Sequence, residues 1–281
     1  MKMEKKSTKK ISKKQLKRIL SEHMLWRKKI GGSKADLSGM DLSGIDLSGV
    51  YLYGSNLSGA DLSGANLLGA GLENADLPYA NLSGANLSGA NLSGANLSCA
   101  NLSGALLENA NLYNAKLSGA NLSGAHLENA NLYKAKLSGA NSKNADLFHA
   151  DLSDADLENA DLSDASISYA NLRRTNLSGA DLSGADLSGA DLHRANLSDA
   201  DLENANLSDA RMFHANLRRT NLSGANLTHV DMRKSDLTDA VLSGATLDGL
   251  MLSGANLSGT DIFFAHMGDM NTIAAPAITG I

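Results

Sequence analysis

The sequence has few of the residues from which a globular core is usually built. Aromatic residues occupy 4% of its 281 positions, with a single Trp, and there are only 2 Pro and 1 Cys. With aromatics so scarce, Leu and Ala must fill any interior, which points to a repetitive fold rather than to ordinary globular domains. The lone Cys99 permits no internal disulfide and leaves no thiolate pair for a metal. No 18 apolar residues run together, so no membrane-spanning helix is expected. The basic start, MKMEKKSTKK, is not followed by the apolar stretch of a signal peptide, so a cytoplasmic and bacterial protein is expected.

What is present is a beat of five. From Ala35 to Asp269 the chain reads as A-[D/N]-L-S-G through 47 units without an insertion. Leu, or Met or Ile in its place, stands at the centre of each unit from Leu37 to Met267, with Ser142 the one polar exception. Five residues rotate an α-helix by about 500°, so successive leucines form no stripe, and an odd period sends them to alternate faces of a straight strand. The chain must therefore turn a corner in every unit. Asp, Asn, Ser and Gly are turn residues, which leaves Leu and Ala to point inward.

Tandem A-[D/N]-L-x-x resembles the pentapeptide-repeat family. The resemblance implies an all-β fold, a right-handed quadrilateral β-helix with four units per coil, and outward-facing residues at the last two positions of each unit. At about 4.8 Å per coil such a rod is about 55 Å long. Periodicity beyond five is mixed. Residues 105–119 return at 125–139, one expected coil later, but 151–180 return at 196–225, a shift of 45 that is not a whole number of coils.

The open ends of a β-helix invite aggregation unless covered. Ser12 with Gln15 forms a capping-box pattern, and Leu16, Ile19, Leu20 and Met24 recur at helical spacing before Gly31 and Gly32. The expected organisation is a disordered basic tail over 1–11, a capping α-helix and linker over 12–34, the β-helix over 35–270 and a tail or cap over 271–281. Leu25 or Trp26 is expected to anchor the helix further. The exposed pair Phe263 and Phe264 suggests a homodimer joined at the C-terminal end.

Sorting the outward pairs by coil gathers Arg173 and Arg174, His193 and Arg194, Phe213 and His214, and Arg233 and Lys234 on one face, with Tyr53, Tyr113, Tyr133 and Lys134 earlier on it. Such a strip suits recognition of phosphate or carboxylate, with aromatic rings for stacking. Charge is also divided along the chain: residues 1–34 carry +11 and the remainder −16. Lys5, Lys6, Lys9, Lys10, Lys13, Lys14 and Lys17 in the basic head offer a second polyanion contact. Acidic runs such as Asp151, Asp154, Asp156, Glu158, Asp161 and Asp164 raise the reading of a DNA mimic, since quinolone-resistance members of the resembled family are thought to engage DNA gyrase. Evenly spaced carboxylates on a convex rod do not make a catalytic cleft, so no enzyme activity and no small-molecule substrate are expected. The seven histidines show no metal-ligand spacing, and neither metal nor cofactor is expected. The function expected is binding or scaffolding for a protein partner.

Overall fold

Each unit of five turns at its last two residues. The carbonyl of the central leucine accepts the N–H three residues on, at 3.2 Å from Met40 to Leu37 and at 3.0 Å from Ala60 to Leu57. The residue just before that donor has positive φ, 60° at Gly39 and 61° at Gly59. This is the pattern of a type II turn, whose third position favours glycine because a side chain is strained there.

In the computed structural model, which describes residues 9–266, parallel bridges join residues twenty apart, from Asp36 with Asn56 through to Thr246 with His266. Four units therefore make one coil. The 45-residue duplication is out of phase with that coil, and it is accommodated because every unit makes the same corner. Each block that it copies lands on the neighbouring face.

The bonding of one unit explains its consensus. Asn56 N–H donates to the Ala35 carbonyl of the coil before at 3.0 Å, while Leu57 and Gly59 donate to Asp76 and Pro78 of the coil after at 2.6 and 2.9 Å. Ala60 N–H closes the turn onto Leu57 at 3.0 Å. The one remaining donor, Ser58 N–H, is taken by the Asn56 side-chain oxygen at 3.1 Å. Asp or Asn at this position thus satisfies the only backbone N–H that the coil leaves over. Asn adds a bond that Asp cannot. Its Nδ2 donates to the residue one coil earlier, as from Asn121 to Asn101 and from Asn101 to Asn81, each at 3.1 Å.

Inside, Leu and Ala stack in columns with almost no exposure. Ser142 is also buried, in a column that has Leu122 and Leu162 on either side. Thr175 and Thr220 replace inward Ala and each satisfies its hydroxyl on a carbonyl, Leu152 and Leu197, at 2.8 Å.

At the front, helix α1 spans Lys13–Arg27, with Ser12 as its N-cap accepting the Gln15 N–H at 3.2 Å. Leu16 and His23 are buried, and Ile19 and Leu20 pack against the core. His23 Nδ1 accepts the Ala35 N–H at 3.1 Å, tying the helix to the first repeat. Trp26 stacks between His23 and Tyr53, at 5.3 and 6.5 Å between ring centres, whereas Leu25 is exposed. The linker returns tightly past the helix at Gly32, where a Cβ would meet the Glu22 carbonyl at 2.2 Å. Beneath α1 an open apolar groove of about 950 Å³ runs between Leu16, Leu20 and Met24 on one side and Ile45 and Val50 on the other.

One expectation is corrected at this end. Lys9–Lys10, assigned to a disordered tail, instead form strand β1, which pairs in parallel with strand β2, Met40–Asp41, and Ile11 packs against the core. Backbone pairing to the open edge of the first coil orders these residues despite their lysines. The tail expected over 271–281, Met267 and Met270 all lie outside the described residues, as do residues 1–8. Among the described residues no helix is long and apolar enough to cross a membrane.

Two outcomes follow. Ser142→Leu fills a leucine column and is expected to raise stability in denaturant unfolding by about 1–3 kcal/mol; a lower unfolding midpoint would contradict this inward packing. Burial, aided by the charges of Arg27 and Lys34, lowers the pKa of His23 below its ordinary 6.5. The unfolded junction therefore takes up a proton that the docked His23 resists. Docking is fully stable above pH 6.5 and weakens as pH falls through the lowered value. Emission from Trp26, the single Trp, should report that loss on acidification and should not do so in His23→Phe.

Candidate functional site

Because the fourth and fifth residues of each unit form the turns, surface chemistry is written there. The first face turns at residues 38–39, the second at 43–44, the third at 48–49 and the fourth at 53–54, each recurring every twenty residues. Most turns are Ser-Gly. On the fourth face, however, no Ser-Gly pair occurs from the turn at 113–114 to the turn at 233–234. Lys134, Arg174, Arg194, His214 and Lys234 hold φ between 56° and 59°, a region that glycine enters freely and long side chains enter at a cost.

The structure brings all eight residues of the expected strip onto this face, with Phe213 at the centre. The His193 ring lies parallel to it at 5.3 Å and 11° between planes, and His214 meets its edge at 4.3 Å. The cationic groups of Arg233 and Lys234 stand 5.8 and 5.5 Å from the Phe213 ring centre. Lower on the face, Tyr113 and Tyr133 are 5.7 Å apart and Lys134 lies over Tyr133.

The strip is less cationic than its residue types suggest. Arg174 donates through Nε and Nη2 to both oxygens of Asp154 at 2.7 Å. Arg173 donates to Asp191 at 3.0 Å, and Arg233 grips the Asp231 carboxylate at 2.8 and 2.7 Å. These hydrogen bonds hold Asp154 and Asp231 below the usual carboxylate range. Among the described residues no ion pair includes Arg194 or Lys234. Burial, then the charges of Arg173 and Arg194, lowers the pKa of His193, which favours the neutral ring that stacks on Phe213.

The arginine pairing has a sequence signature that a search by residue type overlooks. Carboxylates stand 20 residues before Arg174 and 18 after Arg173, the separations that one coil brings together. The 45-residue duplication copies Asp154 and both arginines to the first face, where Arg219 pairs with Asp199; Arg218 pairs there with Asp236, which, like Asp191, lies beyond the copied block. Arg173 and Arg174 therefore belong to a neutralised pattern that recurs. The third face has an aromatic group of its own at Phe148, His149 and Tyr169; what sets the fourth face apart is that Arg194 and Lys234 stand beside its group at Phe213.

Other expected features are placed as follows. Asp161, Asp181 and Asp201 stack directly in consecutive coils of the second face. Phe263 and Phe264 form its last described turn and are 68% and 86% exposed. Chemically, the fourth face offers stacking and hydrogen-bond donors on an open surface.

These features define a parallel β-solenoid with a patterned outer surface. The family model for pentapeptide repeats matches in overlapping segments between residues 33 and 262. The chain belongs to the pentapeptide-repeat family. It is similar to HetL, a pentapeptide repeat protein involved in heterocyst differentiation regulation from the cyanobacterium Nostoc sp. strain PCC 7120, at 33% identity over 85% of this chain and 92% of that one, with a TM-score of 0.30. It is also similar to QnrB1, a plasmid-mediated fluoroquinolone resistance protein, at 19% identity over 79% of this chain and 93% of that one, with a TM-score of 0.42. A thylakoid-lumen pentapeptide repeat protein from Arabidopsis thaliana is 31% identical over 37% of this chain and 65% of its own, with a TM-score of 0.18. No curated protein matches the chain.

Proposed function

We propose that this pentapeptide-repeat protein is a non-catalytic binding scaffold whose recognition surface is the fourth face between Tyr113 and Lys234, and that its partner is a protein. The observation that carries this reading is the loss of glycine from successive left-handed turns between Lys134 and Lys234. The fold favours Gly, Asn or Asp at those positions. Other faces also admit such residues, at Tyr79, His149, Tyr169, Arg219 and Phe264, but the fourth face runs Arg174, Arg194, His214 and Lys234 through four successive coils, grouped around Phe213. Aromatic rings and Arg are the side chains that dominate protein interfaces. A backbone hydrogen-bonded between coils holds them in place before the partner arrives, which lowers the entropy cost of binding. Helix α1 is read as the cover of the first coil, a role supported by the burial of Leu16 and His23.

Capture of partners from the native cytoplasm tests this reading. The wild-type chain is expected to retain a protein that the triple variant Arg194→Ala, Phe213→Ala, Lys234→Ala loses, while Arg218→Ala on the first face retains it. Equal retention by the triple variant would remove the fourth face from consideration.

A second reading, a DNA mimic acting on a topoisomerase such as DNA gyrase, is favoured by one observation, the carboxylate column of Asp161, Asp181 and Asp201. If that column stands in for phosphates, the chain inhibits or protects gyrase in a supercoiling assay, and Asp181→Asn weakens the effect. Supercoiling that is indifferent to the added chain would end this alternative.

A further inference from the structure

The third face holds a group of metal-ligating side chains that the repeat itself does not require. Residues 105–119 and 125–139 differ at two positions, Leu106 against His126 and Asn114 against Lys134. Since twenty residues make one coil, this duplication stacks Glu128 over Glu108. Two carboxylates about 4.8 Å apart repel one another. Among the described residues neither pairs with a Lys or Arg.

The position that changed places an imidazole beside them. His126 Nδ1 lies 3.5 Å from Glu128 Oε1, and one ligand atom from each of Glu108, His126 and Glu128 lies within 4.8 Å of the others. The second Glu128 oxygen, Oε2, is buried and accepts no hydrogen bond among the described residues. A buried carboxylate oxygen without a partner is costly, and a cation relieves that cost. Glu108 is already oriented from the coil beneath, because Ser88 Oγ donates to its Oε2 at 2.7 Å. His126 also stands where Asp or Asn would accept the spare N–H of its turn, so its side chain is released from the usual structural task of that position.

We propose that Glu108, His126 and Glu128 form a binding site for a divalent transition metal of the zinc class. One imidazole and two carboxylates suit Zn²⁺ and its neighbours better than Ca²⁺ or Mg²⁺, which favour oxygen throughout. The ion offsets both carboxylates, satisfies the unpartnered oxygen and clasps two successive coils. Bonds of about 2.0 Å require ligand atoms about 3.3 Å apart, a contraction that these partly exposed side-chain ends supply by small rotations. Water takes the fourth position on the solvent side. The expectation of no metal rested on linear spacing; here the ligands follow Glu108 by 18 and 20 residues, and the coil brings them together.

Calorimetric titration of Zn²⁺ into the metal-free full-length chain tests the site. One equivalent is expected to bind the wild type and His193→Ala, with a rise in melting temperature. His126→Leu, which restores the residue of the preceding copy, and Glu128→Gln should each lose both the equivalent and the rise, while their circular dichroism and melting in chelator match wild type. Ser88→Ala should weaken binding by about tenfold, as loss of an orienting partner does. Should His126→Leu fail to fold, the near-isosteric Glu128→Gln decides. No uptake by the wild type, or an undiminished equivalent in folded His126→Leu or Glu128→Gln, would overturn the proposal.

Discussion

The structure depends on how each unit disposes of its five backbone N–H groups. Three bond to neighbouring coils, one closes the turn, and the last is taken by the Asp or Asn side chain, as Ser58 N–H is by Asn56. Where Asp or Asn fills that position every donor is satisfied locally or by a like neighbour, so stability grows coil by coil and no element needs a distant partner. The leucine columns supply the driving force, and the side-chain bond fixes where the corner falls. Leu is accordingly the position held most tightly, followed by Ala and by Asp or Asn, while Ser and Gly give way most often, to Tyr, Arg, Phe or Glu among others.

Identical corners make the faces interchangeable, and this governs how surface chemistry is distributed. A duplicated block must begin in step with five but need not begin in step with twenty. The block copied at a shift of 45 carries its Asp154–Arg174 pair to another face as Asp199–Arg219, because partners 20 residues apart keep that separation wherever the block lands. The block copied at a shift of 20 instead stacks each residue upon its own copy. It places Tyr133 on Tyr113, which is favourable, and Glu128 on Glu108, which is not unless something positive lies between them. The two duplications therefore have opposite electrostatic consequences for a single geometric reason.

Much of this was legible in the sequence. The odd period excluded helix and straight strand, Ser142 was visible as a gap in a leucine column, and Ser12 with Gln15 marked the start of α1. The coil of twenty was not readable from repetition alone, since the two duplications disagree, and the parallel bridges decide it. The sorting of Arg173 to Lys234 onto one face was legible once twenty was assumed. Their neutralisation by Asp154, Asp191 and Asp231 was missed, because acidic residues in the turn position look like turn formers and here serve also as ion-pair partners. The role of Lys9–Lys10 was hidden as well, since lysine content says nothing of a free strand edge nearby.

Side-chain type in such an array is a poor guide to surface character until the coil length is known. Arg173, with Asp 18 residues after it, and Arg174, with Asp 20 before it, are held and largely neutral in effect; Arg194, with neither, keeps its donors for another molecule. The same separations turn Glu108, His126 and Glu128 from scattered residues into one cluster. A rod of this kind is read by listing, for each outward residue, its neighbours one coil away. The residues left without a complementary neighbour in that reading, Arg194 and Lys234 on one face and the Glu128 oxygen on another, are those with interactions still to make.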